Sequence, residues 1–235
     1  MSHDEFVFDF ARCERIGLSE AVLCEGKSSS QVEHVIEVAA SRSEPLLLTR
    51  LSSSAFEALQ PRCREMMDFD AVSRTAIIGR RPHATDPAQI AIVSAGSSDL
   101  PVVREASRTL EFHGQRADIV LDVGVAGLWR ILERQDQLRK YPAVIVVAGM
   151  DGALFSVVGG LVAGAVIAVP TATGYGTAQA GMTALHSALA SCAPGIVAVN
   201  VGNGYGAACA ALRVLRQSQD ATGGGSYVPE SSEPR

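Results

Sequence analysis

Two side chains in this 235-residue sequence could combine nucleophilic and proton-accepting chemistry: Asp151 and Cys192. Asp151 lies on a loop of small residues, Gly149-Met-Asp-Gly152, directly after the apolar run 143–148. Cys192 follows a second apolar run, 165–170, and a helix-length segment. A thiolate is a strong nucleophile and a fair leaving group, and a nearby carboxylate can remove a proton from the adduct. We expect the two groups to face one pocket and to act covalently on a nucleotide. A lone cysteine is otherwise most often a small buried core residue.

The groups that could hold such a ligand recur after each apolar run. Ala95-Gly-Ser-Ser-Asp99 offers Ser97, Ser98 and Asp99, and Val123-Gly-Val-Ala-Gly127 offers Gly124 and Gly127. Gly149 and Met150 precede Asp151, and the next loop supplies Thr171, Thr173, Gly174, Tyr175 and Gly176. The last, Asn200-Val-Gly-Asn-Gly-Tyr-Gly206, supplies Asn200, Asn203 and Gly204. Glycine lets backbone N–H groups approach an anion, hydroxyls add donors, and helix N-termini add partial positive charge. Five such loops together favour a phosphate-bearing ligand. Ser98 or Asp99 alone could equally cap a helix. Arg12, Arg15 and Lys27 could grip a second phosphate or a carboxylate, since guanidinium binds such groups bidentately. The two arginines also fit a solvated basic face.

Positioning these loops requires parallel strands. Apolar runs at 90–94, 119–122, 143–148, 165–170 and 196–200 have the two-sided apolar character of strands buried on both faces. Helix-length segments at 102–113, 128–139, 153–162, 178–191 and 207–217 separate or follow them. This alternation predicts a three-layer α/β fold with a doubly wound parallel sheet over 89–220. In such sheets ligands bind beyond the carboxyl ends of the strands. Residues 1–88 read as a small α+β domain: a helix over 31–40 capped by Ser29 or Ser30, a strand at 45–49, a helix capped by Ser53 or Ser54, and a strand at 75–78. Residues 80–87 read as a linker, and 221–235 as a disordered polar tail.

Composition sets the outer bounds. The chain is 47% hydrophobic but only 5% aromatic, so a large core must be built from small aliphatic residues. A net charge of −5 gives no general attraction to nucleic acid or anionic membranes. Five cysteines without paired spacing, and Asp4 and Glu5 where a signal peptide's apolar core would begin, favour a cytoplasmic protein with free thiols. The eighteen residues 152–169 are apolar enough to flag as a membrane span, but Gly159, Gly160 and Gly164 break them and Pro170 ends them. They are expected to form a buried helix, a turn and a buried strand.

The runs AGSSDLPVVREA, DVGVAGLWR, VIVVAGMDGALFSVVGGL, VIAVPTATGYG, SCAPGIVAVN and NGYGAA resemble, in order and spacing, the LarB family of nickel-pincer cofactor biosynthesis proteins. That family's C-terminal domain is similar to class I aminoimidazole ribonucleotide carboxylases. Asp9, Arg12, Arg15, Gly17, Glu20, Gly26-Lys27 and Thr49-Arg50 fit its weaker N-terminal motifs. The resemblance implies carboxylation of the pyridinium ring of nicotinic acid adenine dinucleotide, with CO2 or bicarbonate as co-substrate. Phosphoanhydride hydrolysis then gives pyridinium-3,5-biscarboxylate mononucleotide and AMP. It implies that Cys192 is the nucleophile and Asp151 the catalytic carboxylate, in a homo-oligomer, an octamer. No cofactor is expected to bind tightly, no metal cluster is apparent, and any Mg2+ would arrive with the substrate phosphates.

Four positions depart from the family pattern: Asp151 stands for Glu, Trp129 for His, Ala190 for Asn and Gly202 for Asp. Three alternatives therefore accompany the main reading. They are a relative acting on another pyridine nucleotide, a purine-pathway ribonucleotide carboxylase or mutase, and a non-catalytic nucleotide-binding protein. The purine reading lacks its Ser-Ala-His-Arg block and leaves Cys192 without a role.

Overall fold

The structure, a computed structural model, describes residues 6–79 and 87–222. The first part contains α1 (Arg12–Ile16), β1 (Ala21–Leu23), α2 (Ser29–Ser41), β2 (Leu46–Thr49), α3 (Ser53–Glu57), α4 (Pro61–Glu65), β3 (Met67–Asp70) and β4 (Thr75–Ile78). The second begins with β5 (Ile90–Ser94), α5 (Leu100–Phe112), β6 (Ala117–Val120), α6 (Trp129–Leu132), α7 (Gln135–Leu138) and β7 (Ala143–Ala148). It continues with α8 (Ala153–Leu161), β8 (Ala165–Pro170), α9 (Met182–Leu189), β9 (Val197–Ala198) and α10 (Gly204–Thr222).

The second unit is a five-stranded parallel sheet in the order β6-β5-β7-β8-β9, the doubly wound α/β sheet expected. Its strands bury alternate residues on opposite faces. Ala91, Val93, Val144, Val146, Val166 and Ala168 meet α6 to α9. Ile90, Ile92, Ile145, Val147, Ile167 and Val169 meet α5 and α10. Both faces are therefore apolar, which is why these strands read as continuous runs. Residues 152–169 form α8, a turn at 162–164 and β8, as expected. At Gly164 any Cβ would overlap the backbone of Tyr141 and Pro142. No helix among the described residues is long and apolar enough to cross a membrane.

The first unit is a mixed four-stranded sheet, β1-β2-β4-β3, covered by α2 and α3 around Val32, Val35, Ile36, Leu46, Leu48 and Leu51. It docks on α5, which works as a spine between the two sheets. Arg104 makes a bidentate pair with Asp70 at 2.9 and 3.0 Å. Arg108 donates to Thr75 Oγ1 at 2.8 Å and to the Asp68 carbonyl at 2.6 Å.

Several local expectations need correction. Ser28, not Ser29 or Ser30, caps α2: its Oγ accepts from Gln31 N at 3.3 Å while Gln31 Oε1 accepts from Ser28 N at 3.0 Å. Ser52, not Ser53 or Ser54, caps α3, accepting from Ala55 N at 3.1 Å. The segment 128–139 is two short helices, interrupted at Arg134 (φ −99°, ψ −5°). The segment 178–191 yields a helix only over Met182–Leu189, because Ala180 and Gly181 hold φ of 49° and 95°. Strands β1 and β3 were missed: three residues are too few for a period, and β3 is only partly buried. Helix α10 takes in residues 221 and 222 of the expected tail. The rest of that tail, and most of the linker at 80–87, lie outside the described residues.

Candidate active site

The sheet order reverses direction between β5 and β7. Loops leaving the carboxyl ends of strands at such a switch point splay apart and open a crevice. Here those loops are 95–99 and 149–152, flanked by 171–176 after β8.

A buried carboxylate ties the 95–99 loop to the 171–176 loop. Asp99 is 2% exposed; its Oδ1 accepts from Thr171 Oγ1 at 2.7 Å and Thr173 Oγ1 at 3.3 Å, and its Oδ2 accepts from Gly96 N at 3.1 Å. Burial raises the Asp99 pKa, and these three donors oppose the shift only in part. Met150 N donates to the Thr173 carbonyl at 2.6 Å, and the αL conformation of Met150 (φ 49°) turns the loop outward. Gly149 permits this approach: a Cβ there would overlap Thr173 and stand 2.8 Å from Thr171 Oγ1. Gly124 packs likewise, its Cβ position 2.7 Å from the Ala95 carbonyl. Asp99, Thr171 and Thr173 thus knit the loops together, while Ser97, Ser98, Gly174, Tyr175 and Gly176 stand exposed at the rim. Tyr175 is 83% exposed. Gly127 lies on the neighbouring loop, beside the Arg130 side chain.

Asp151 is exposed at the head of α8, where its Oδ1 accepts from Ala153 N at 3.2 Å. That bond suits a helix start and leaves Oδ2 to solvent. Cys192 is also exposed, and its neighbours Ser191 and Ala193 lie against Ser156 and Gly159 of α8. Helix α9 carries the chain down the outside of α8 before Cys192 is reached. Ser191 Oγ lies 2.7 Å from Ser156 Oγ, and a Cβ on Gly159 would stand 2.9 Å from Ala193. At about 1.5 Å of rise per residue, Cys192 is roughly 10 Å from Asp151 along α8. Both are surface groups, and neither lines the cavities described below. The Ser156–Ser191 hydroxyl pair, which fixes the 190–193 segment to α8, was not visible in the sequence.

The two arginines proposed from the sequence pair with carboxylates of the first unit. Arg15 pairs with Asp9 at 2.5 Å and Arg12 with Glu20 at 3.1 Å, both within the first unit. Lys27 is exposed on a turn, its N donating to the Cys24 carbonyl at 3.0 Å. Asn203 caps α10, its Oδ1 accepting from Gly206 N at 2.8 Å. Gly204 allows α10 to meet α5: a Cβ there would stand 2.5 Å from the Val102 carbonyl. Asn200 Oδ1 accepts from Val201 N at 2.8 Å.

A residue the sequence did not single out joins the two units at this edge. Glu105, 5% exposed on α5, accepts from Thr49 Oγ1 through one oxygen and from Gly204 N, at 2.9 Å, through the other. The next residue, Arg50 (φ 54°), donates to the Gly202 carbonyl at 2.9 Å and lies 3.7 Å from Glu25. Between them opens a cavity of about 490 Å³ lined by Leu23, Glu25, Arg50, Asn200, Val201 and Tyr205 among others. A second cavity, about 380 Å³, lies at the β6 edge beside Asp122, Trp129 and Arg130. Among the described residues, no group of three His, Cys, Asp or Glu side chains is placed to hold a metal ion.

Comparison with known proteins places the chain in a class. Residues 89–223 match the AIR carboxylase model, and residues 4–80 match the LarB/PurE-like N-terminal domain. An uncharacterized protein of Methanocaldococcus jannaschii is 34% identical over 197 residues, covering 80% of this chain and 75% of that protein. Two solved structures from Treponema denticola are similar at 57% coverage of this chain: a PurE2 variant (20% identity, 91% of that chain, TM-score 0.39) and PurE (19%, 92%, 0.39). The fold and domains define a carboxylase/mutase-type protein with a nucleotide-related function. More particularly, the chain belongs to the LarB family, with an AIR carboxylase-like C-terminal domain.

Proposed function

We propose that this protein carboxylates the pyridinium ring of nicotinic acid adenine dinucleotide and hydrolyses its phosphoanhydride. The observation that carries the reading is the joint presence of the LarB/PurE-like domain at 4–80 and the AIR carboxylase domain at 89–223. The exposure of the Cys192 thiol and of Asp151, the two groups this chemistry needs, supports it.

The chemistry follows from the ring. The Cys192 thiolate adds to C4, forming a C–S bond and moving the ring's electrons into a dihydropyridine enamine. C5 of the enamine attacks CO2 and forms a C–C bond. Asp151 then takes the C5 proton, the ring pair returns, and the C–S bond breaks to release the thiolate and restore aromaticity. Water attacks the phosphoanhydride phosphorus to give the biscarboxylate mononucleotide and AMP. In this reading the ring lies on the outer face of α8, between the Asp151 loop and the 190–193 segment. The strand-end loops around Asp99 hold the phosphate-bearing part of the substrate, with Mg2+ carried by its phosphates, and the working form is a homo-oligomer, an octamer. A second reading, a different pyridine nucleotide as substrate, is favoured by Trp129, which is 62% exposed at the β6 edge, and by the side-chain-free Gly202.

The test is incubation with nicotinic acid adenine dinucleotide, bicarbonate and Mg2+, with mass analysis of the nucleotides and of Cys192. Biscarboxylate product, AMP and a substrate-mass adduct on Cys192 are expected. Cys192→Ala should abolish carboxylation and leave nucleotide binding intact. Carboxylation that persists in Cys192→Ala removes the covalent mechanism, and absence of both product and adduct in the native protein removes the reading.

A further inference from the structure

The cavity between the two units is not used by the chemistry above, yet it opens at the same edge of the sheet. Its floor is the 200–203 loop that follows β9, so it adjoins the strand-end loops directly. From the first unit it is walled by Ala21 and Leu23 of β1 and by Glu25, Thr49 and Arg50, and from the second by Glu105, Val201, Asn203 and Tyr205. We infer that this interdomain cleft binds the adenylate half of the dinucleotide, the half released as AMP; this rests on the reading of the substrate given above.

The residues divide as such a ligand requires. At about 490 Å³ the cleft falls within the usual range of small-molecule sites, roughly 300–1,000 Å³. Its cation is Arg50, whose guanidinium is held by the Gly202 carbonyl at 2.9 Å and loosely by Glu25 at 3.7 Å. Five N–H donors in a fixed fork leave several for a phosphate. Gly202 places no side chain against it; the nearest approach of a Cβ there would be 3.6 Å from Arg50 Nη2. Glu25 is 64% exposed at its side chain and can accept from ribose hydroxyls. Leu23, 51% exposed, Ala21, Val201 and the flank of Tyr205 offer an apolar wall for a flat base. Asn200 and Asn203 use their carbonyl oxygens on the backbone, and among the described residues no hydrogen bond engages their NH2 groups. A metal ion does not fit: both oxygens of Glu105 are already acceptors for Thr49 and Gly204, leaving Glu25 as a single carboxylate.

The cleft also explains why the binding surface needs the first unit. Thr49 and Arg50 are adjacent at the end of β2. One anchors that end to Glu105, and the other aims its guanidinium over the 200–203 loop. A dinucleotide lying along the carboxyl edge would then place its two halves in two separately built sites.

Equilibrium binding of AMP and, separately, of nicotinic acid mononucleotide to the full chain tests this. The native protein should bind AMP. Arg50→Ala should raise the Kd for AMP by about ten- to a hundredfold, as loss of a charged hydrogen bond does, and leave the mononucleotide Kd within about twofold. Leu23→Trp, which fills the cleft from an exposed strand position and leaves the Arg50 contacts untouched, should block AMP as well; it serves where Arg50→Ala fails to fold. No AMP binding by the native chain, or AMP binding unchanged in both variants, overturns the inference. AMP binding lost in the variants of a protein that performs no carboxylation supports the cleft and rejects the proposed reaction.

Discussion

Replacing Glu105 with alanine should loosen the junction between the two units and lower stability more than any exposed substitution. Glu105 is 5% exposed, and its two oxygens accept from the Thr49 hydroxyl and from Gly204 N at the start of α10. Thr49 is 6% exposed and Gly204 is buried, so neither donor gains water when the carboxylate goes. Each abandoned buried donor costs about 1–3 kcal/mol, so Glu105→Ala should cost about 3–4 kcal/mol. For a chain of this size about 1 kcal/mol corresponds to roughly 2–4 °C, which gives a fall in Tm of about 10 °C. Glu105→Gln keeps one oxygen for Gly204 N, and its NH2 can donate to the Thr49 hydroxyl, so it should cost about 1 kcal/mol. Thr49→Val removes one donor only, and combined with Glu105→Ala it should show a coupling of about 1–2 kcal/mol. Thermal unfolding followed by circular dichroism reads the native chain and all four variants. A Tm for Glu105→Ala within about 2 °C of the native value, or additive losses in the double variant, would refute the reasoning.

Three further outcomes are expected. Asp151→Asn keeps an oxygen for Ala153 N and should shift Tm by less than about 2 °C, while removal of the base should lower carboxylation about 10²- to 10⁴-fold; equal turnover would release Asp151 from that role. His113 is held at a pKa of about 4, below the ordinary 6.5, by burial and then by the Arg216 guanidinium. The unfolded chain therefore takes up a proton before the folded one does, and stability should fall as pH drops from 6.5 toward 4, by roughly 3 kcal/mol in all. Urea midpoints at pH 7, 6 and 5 should show this in the native chain and lose most of it in His113→Gln. Gly149→Ala should destabilise by about 1–3 kcal/mol, since its Cβ would overlap Thr173 in a loop held by several bonds; a urea midpoint equal to the native one would contradict that packing.

The parallel sheet was legible because a strand buried on both faces needs apolar residues at every position. Val144 to Val147 and Val166 to Val169 show this. The strand-end loops were legible for a related reason: close backbone approach demands glycine, and Gly149 and Gly124 stand where a Cβ would collide. The short β1, the partly buried β3 and the break between α6 and α7 carry no such repeated pattern, because neighbours from elsewhere in the chain decide them.

By itself the sequence determined the fold class, the family pattern and the kinds of groups available, since these follow from local periodicity and residue chemistry. Only the tertiary structure decided which groups meet. Asp99, read as a ligand contact or a cap, is the buried link between two loops because Thr171 and Thr173, more than seventy positions away, are brought to it. Arg12 and Arg15 found carboxylate partners near at hand, whereas Arg50 was delivered to the 200–203 loop by the docking of the first sheet on α5. The forty positions between Asp151 and Cys192 in the chain say nothing of their separation in space. That separation is set by the path of α9 along α8, which brings Ser191 to Ser156 and Ala193 to Gly159.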